Sequence, residues 1–316
     1  MRIDAVSRNW LTKKFGANVC FDEPMARHTS LRVGGPAEAF IAPNSFERLV
    51  ELVEWSFKKK IPYVVVGHGT NLLVKDSGIK GLVIVLMDCL CTIERKEGEK
   101  EGVMVTAMAG ARIQSLCSYA LVNGLNGMNF ALGIPGTVGG GIMMNAGTAL
   151  GSMESVLKAI HVLQPWGAVK RVGIENLAFS YRGLSWKENQ LSNGPSLSFI
   201  IDGSFLLHPS DPHELKKEAE KIQGARKKSQ PFGRLSAGCF FKNPRTGKTA
   251  GELIELAGLK EISIGGAGVS PIHANFIINN GNATAADILA LMETIQEKVL
   301  QTFNIYLEEE VKIIGS

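Results

Sequence analysis

Short apolar runs broken by turn residues alternate with longer helical periods along the first two thirds of the chain. Residues 61–66 (IPYVVV) form a β-branched run ending at Gly67, the pattern of a buried strand entering a turn. Residues 82–87 (LVIVLM) predict a second strand, and alternation at 103–107 and 199–207 predicts two more. A helical period at 46–57 sets Phe46, Leu49, Val50, Val53 and Phe57 on one face. Another at 111–122 uses Ile113, Leu116, Tyr119 and Leu121 or Val122. Asp211-Pro212-His213-Glu214 opens a charged helix: Asp211 can cap, Pro212 suits the first position and Glu214 can complete a capping box. A last helix starts near Thr284 with Ile288, Leu291, Ile295 and Val299, and 305–314 reads as a closing strand.

A hydrophobic share of 45% and a net charge of +4 over 316 residues exclude a disordered chain and leave room for two domains. So small a positive excess is no nucleic-acid footprint, though it suits an anionic small molecule. Cysteines 20, 89, 91, 117 and 239 include no C-x-x-C pair, so reduced thiols are expected rather than a disulfide framework, and no metal site. No apolar segment reaches the ~18 residues of a membrane span, and the first ten residues lack a signal-peptide core. A cytoplasmic location is therefore expected, and the chain is taken as a monomer. A boundary falls near 210, where Gly-rich sequence gives way to the charged helix with no flexible linker; the two parts should pack together.

Glycine changes the picture. It makes up 35 of the 316 residues, against an ordinary share of about 7%. Gly67-His68-Gly69-Thr70-Asn71 follows a strand directly, and 133–147 (GIPGTVGGGIMMNAG) holds six glycines in fifteen residues. Residues without Cβ let successive amides converge on an anion. Two such stretches point to a phosphate-bearing cofactor. The dinucleotide fingerprint G-x-G-x-x-G fails at Leu72, and no amphipathic helix follows. Gly247-Lys248-Thr249 mimics a P-loop end, but Lys242 stands where its first glycine belongs.

The order of motifs resembles one family. Thr29-Ser30-Leu31-Arg32-Val33-Gly34-Gly35-Pro36-Ala37, then Gly67 to Leu73, then Gly133-Ile134-Pro135-Gly136-Thr137-Val138-Gly139-Gly140 with Asn145-Ala146-Gly147, match the UDP-N-acetylenolpyruvoylglucosamine reductases. Tyr181-Arg182, Gly238 to Pro244, Ala250 to Ile254, His273 to Phe276 and Leu307 to Val311 continue the resemblance over nearly the whole chain. It implies an α+β protein: a two-lobed FAD-binding domain of vanillyl-alcohol-oxidase type at 1–210, joined by a C-terminal strand at 305–316, plus a smaller α/β substrate domain at 211–304. It implies non-covalent FAD, NADPH as reductant and a UDP-sugar enolpyruvyl ether as substrate, in peptidoglycan precursor synthesis. The cofactor-binding residues implied are Gly67, His68, Gly69, Thr70, Asn71, Gly133, Pro135, Gly136, Thr137, Gly139, Gly140, Asn145 and Gly147.

Two departures stand out. The family's proton-donating serine is Cys239 here, and there is no tyrosine between 182 and 305, so the chain resembles the class without a tyrosine-bearing substrate loop. The catalytic residues implied are Arg182, Cys239 and Glu310. A guanidinium fork matches a carboxylate, and a thiol of reference pKa about 8.5 stays protonated at neutral pH. Alternation sets Glu309 with Ile305, Leu307, Val311 and Ile313, and Glu308 with Glu310, so only the resemblance selects Glu310. Tyr181, Lys242, Asn243 and Asn275 match substrate-side positions. The competing readings are a flavin oxidase of another small alcohol and a nucleotide-binding module that has lost the reaction.

Overall fold

The computed structural model describes residues 3–96, 102–186, 198–245 and 247–316. Helix α1 (Ala5–Phe15) is capped by the Asp4 carboxylate, which accepts from the Ser7 amide. Strands β1 (Val19–Pro24) and β2 (Pro36–Ile41) pair antiparallel. Helix α2 (Phe46–Lys59) then leads to β3 (Tyr63–Val66), β4 (Leu72–Val74) and β5 (Ile79–Val85). The sheet order is β1-β2-β5-β3, with β5 parallel to both β2 and β3. Loop 67–71 thus leaves the carboxyl end of a parallel strand, where such sheets gather their ligands. Trp10 of α1 stacks on Trp55 of α2, ring centroids 4.3 Å apart. The buried stripe of α2 is Leu49, Leu52, Val53 and Ser56, whereas Phe57 is 44% exposed. Phe57 lies one step beyond the i, i+3, i+4, i+7 series that starts at Leu49.

A second sheet is antiparallel throughout. Its long strands are β6 (Ile93–Lys96), β7 (Val103–Met108), β8 (Leu157–Leu163), β9 (Val169–Gly173) and a later strand, Phe199–Pro209, whose end also pairs with the two residues Leu125–Asn126. Helices α3 (Ile113–Val122) and α4 (Val138–Met143) fall between β7 and β8. The stretch Leu177–Trp186 is a hairpin of β10 (Leu177–Ser180) and β11 (Gly183–Trp186). Numbering Phe199–Pro209 as β12, the order is β9-β8-β12-β7-β6. One apolar core runs through both sheets.

Helix α5 (Pro212–Ser229) has a one-sided cap in place of the expected box: the Asp211 carboxylate accepts from the His213 amide at 2.8 Å. Its Ala219 belongs to the first core, and the helix lies against α3. A second core gathers α6 (Ala250–Leu256), the small sheet β13 (Ser263–Ile264), β14 (Ala267–Val269), β15 (Ile277–Asn279), and α7 (Ala285–Phe303). The expected α7 face of Ile288, Leu291, Ile295 and Val299 is buried there. Leu31, Val33 and Leu73 enter this core from the first part of the chain. The Asp76 carboxylate also accepts from the first amides of α7, those of Ala285 and Ala286, at 2.9 Å each.

The closing strand is shorter than its pattern suggests. Only β16 (Lys312–Ile314) forms a ladder, parallel to β4. Residues 305–311 instead thread past the segment 240–242, and their alternation breaks. Leu307 and Val311 are buried, Glu308 and Glu309 are exposed, and Glu310 is half-buried.

Candidate active site

Tyr181 and Arg182 are the two loop residues between β10 and β11. Arg182 has φ +60, a region that glycine and asparagine favour, and this backbone aims its side chain at the C-terminal segment. Its Nε donates to Glu310 Oε1 at 2.6 Å, and Nη1 donates to the Gly147 carbonyl at 3.3 Å. The Tyr181 hydroxyl donates to Glu310 Oε2 at 3.4 Å. The Glu310 side chain is only 12% exposed. Burial pushes its carboxyl above the usual range, while Arg182 and then Tyr181 hold it partly back.

Cys239 faces the same charges. Burial first, and the Glu310 carboxylate second, push its thiol up to about 12, against the pull of Arg182 and Arg226. Its segment is braced from both sides. Cys239 pairs with Phe276, the Phe240 amide donates to the Asn275 carbonyl at 2.9 Å, and the Phe240 carbonyl accepts from the Glu310 amide at 2.8 Å. The buried Asn275 side chain closes on Phe241, donating to its carbonyl at 2.8 Å and accepting from its amide at 2.9 Å. Lys242 pairs with Glu308 at 3.0 Å rather than with Glu310, and Asn243 Oδ1 accepts from the Ala250 amide at the start of α6.

The two glycine loops meet a short way off. Thr70 Oγ1 donates to the Pro135 carbonyl at 3.3 Å, and Gly67 lies so close to Thr137 that a Cβ there would stand 2.4 Å from its Oγ1. Thr137 caps α4. Gly133 and Gly136 have φ +79 and +124. A Cβ at Gly139 would stand 2.8 Å from that of Ala109, and the Asn145 side-chain Nδ2 donates to Glu154 Oε2 and to the Ser180 carbonyl. Asn71 Nδ2 donates to the Glu310 carbonyl at 3.2 Å.

The comparisons with known proteins cover this whole arrangement. An FAD binding domain matches residues 37–173, and the C-terminal domain of UDP-N-acetylenolpyruvoylglucosamine reductase matches 230–314. The reductase of that name from Desulfosudis oleivorans is 46% identical over 315 residues, 99% of this chain and 100% of that protein. The chain belongs to the UDP-N-acetylenolpyruvoylglucosamine reductase family. The Listeria welshimeri reductase is 39% identical over 97% of this chain and 99% of that one. The crystal structure of the Thermus caldophilus reductase superposes with a TM-score of 0.75 at 32% identity, covering 94% of this chain and 98% of that one.

An FAD-binding reductase needs a seat for a diphosphate, and the residues fit one. Both glycine loops lie inside the matched FAD binding domain. Among the described residues, the amides of His68, Gly69, Thr70 and Asn71 donate to no protein acceptor. Two buried polar atoms beside them, His68 Nε2 and Ser236 Oγ, have no hydrogen-bond partner. Such atoms are rare in folded proteins unless a ligand or water completes them. Burial and the Arg112 charge lower the pKa of His68, which keeps it neutral. Ser30 ties the two sides together: its hydroxyl donates to the Ser236 carbonyl at 2.7 Å and its amide to the Gly69 carbonyl at 3.2 Å. The fold is thus an α+β FAD-binding fold with a smaller second unit, the matched C-terminal domain.

Sequence reasoning missed Arg226 and Ser236. Arg226 sits in a charged run that reads as a solvated face, yet its Nη2 donates to the Gly133 carbonyl at 3.4 Å and its charge reaches Cys239. No local pattern marks either residue. Among the described residues, no helix is long and apolar enough to cross a membrane.

Proposed function

We propose that the protein reduces UDP-N-acetylglucosamine-enolpyruvate to UDP-N-acetylmuramate with NADPH, in peptidoglycan precursor synthesis. One observation carries the assignment of roles: Arg182 and Tyr181 both reach the Glu310 carboxylate, and the Phe240 carbonyl, next in sequence to Cys239, accepts from the Glu310 amide, so three distant stretches of chain meet there. FAD, when bound, relays the reducing equivalents of NADPH to the double bond. Loops 67–71 and 133–147 hold it non-covalently, with His68 and Ser236 as side-chain partners.

Reduction at the methylene carbon leaves negative charge on the neighbouring carbon and the carboxylate. Arg182 meets that charge with a planar fork. Glu310, its carboxyl pushed up by burial, hydrogen-bonds the developing enolate when protonated. Cys239 gives its thiol proton to the carbon bearing the ether oxygen, and the charges of Arg182 and Arg226 favour the thiolate left behind. Tyr181, Lys242 and Asn243 line the substrate side. Asn275 acts as a positioning residue for the Cys239 segment.

The domain division we favour keeps 1–210 as the FAD-binding part with 305–316 returning to it. It moves α5 to that part and starts the substrate-binding unit near 230, because Ala219 lies in the first core. The enzyme works in the cytoplasm as a monomer. The test is anaerobic rapid mixing. The purified protein should be yellow and release its flavin on acid precipitation. NADPH should bleach it, and the enolpyruvyl substrate should restore the colour. Glu310→Gln should leave bleaching intact and slow recolouring by about 10²–10³. Equal slowing of both steps would remove Glu310 from the chemistry.

A further inference from the structure

Asn71 lies in the cofactor loop, yet its side-chain donor is turned away from a phosphate role. Its Nδ2 reaches the carbonyl of Glu310 at 3.2 Å, across 239 residues of sequence. Its own carbonyl accepts from the Lys312 amide at 3.0 Å, one step before the β4–β16 ladder begins at Leu72 and Lys312. On the other edge, the Glu310 amide donates to the Phe240 carbonyl at 2.8 Å, and Phe240 follows Cys239 directly. The Glu310 peptide is therefore gripped on both edges. The Cys239 segment holds its N–H and the cofactor loop holds its C=O, so only the carboxylate is left to face Arg182 and Tyr181.

We propose that Asn71 is a positioning residue for Glu310, coupling the shape of the cofactor loop to the placement of the carboxylate. Residues 305–311 lack a ladder of their own, so nothing regular fixes this peptide once the Asn71 donor is gone. Thr70, next to Asn71, is tied to the second glycine loop through the Pro135 carbonyl. A cofactor that orders the two loops orders Glu310 through the same chain of contacts. A displacement of about 1 Å at a reacting group is enough to lower a rate ~10²-fold. This role rests on the proposed chemistry of Glu310.

The test separates the two half-reactions in Asn71→Ala and in Asn71→Leu, which keeps the branched outline of the side chain, lacks the donor and adds no charge to the loop. FAD affinity is measured by quenching of flavin fluorescence, and both half-reactions are then read at saturating FAD, where bleaching by NADPH should slow much less than recolouring. Recolouring by the enolpyruvyl substrate should slow about tenfold to 10²-fold at saturation, with the half-saturating concentration little changed. Unchanged recolouring in either variant overturns the proposal. A loss of FAD affinity that accounts for the slowing also overturns it, since Asn71 is then a cofactor ligand. Glu310→Gln is run alongside: if that variant recolours at the wild-type rate, the chemical assignment of Glu310 has failed, whatever Asn71 does.

Discussion

The proposed cofactor cradle is built mainly from backbone of two contiguous stretches, 67–71 and 133–147: amides of 68–71 with no protein acceptor, and glycines where an added Cβ would collide. The reacting cluster is built from side-chain heads, and Arg182 and Glu310 meet across 128 residues of sequence. The difference shows which changes each region tolerates. A cradle of backbone is indifferent to many side chains but is damaged by an added Cβ. A cluster of heads keeps its backbone and is damaged by removing one functional group. The structure links the two regions at few places: Asn71 to Glu310, Arg182 to Gly147, and Arg226 to Gly133.

The sharpest way to break this comparison is at Cys239. Cys239→Ala should slow recolouring by about 10²–10⁴, the range for a positioned general acid, with FAD affinity unchanged. Cys239→Ser should restore much of the rate, because a hydroxyl of similar size can donate. A donor acts while protonated, so its contribution is full below its pKa and lost above it. With the thiol pushed up to about 12, wild-type recolouring should show no thiol-dependent fall between about pH 6 and 10. For the same reason the thiol should alkylate slowly, since the thiolate is the nucleophile. A basic limb in that range that disappears in Cys239→Ser would mean a far more acidic thiol than its burial allows.

Gly67→Ala tests the other region. Gly67 has no left-handed φ, so the problem is space: the new Cβ meets the buried Thr137 hydroxyl that caps α4. Overpacking of this kind costs about 1–3 kcal/mol. Thermal unfolding should come earlier and FAD should bind more weakly, while both half-reactions stay near wild type at saturating FAD. If FAD binds Gly67→Ala as tightly as wild type, the cradle is not shaped by this contact. The smallest effect is expected at Asp211→Ala, which removes the cap of α5 and should cost about 1 kcal/mol of stability. Neither FAD affinity nor rate should move; a slower recolouring step would tie α5, and with it Arg226, to the reacting cluster.

Some of this was written in neighbouring residues. The β-branched run before Gly67, the α7 face and the glycine-dense stretches each encode their structure within a few positions, because strand and helix periods and φ freedom are local properties. The order of motifs likewise carried Arg182, Cys239 and Glu310 and the family with them. Other features came only with the tertiary structure. A period places Phe57 on the apolar face, but packing leaves it exposed. An alternating run reads as a strand, but 305–311 binds its neighbours one bridge at a time. Asp76 caps a helix that begins more than two hundred residues later, and Asn279 Nδ2 donates to the Leu31 carbonyl across 248 residues. The raised pKa values of Cys239 and Glu310 belong to this second group. Their causes are burial and charges brought together through space, and no window of sequence contains both partners.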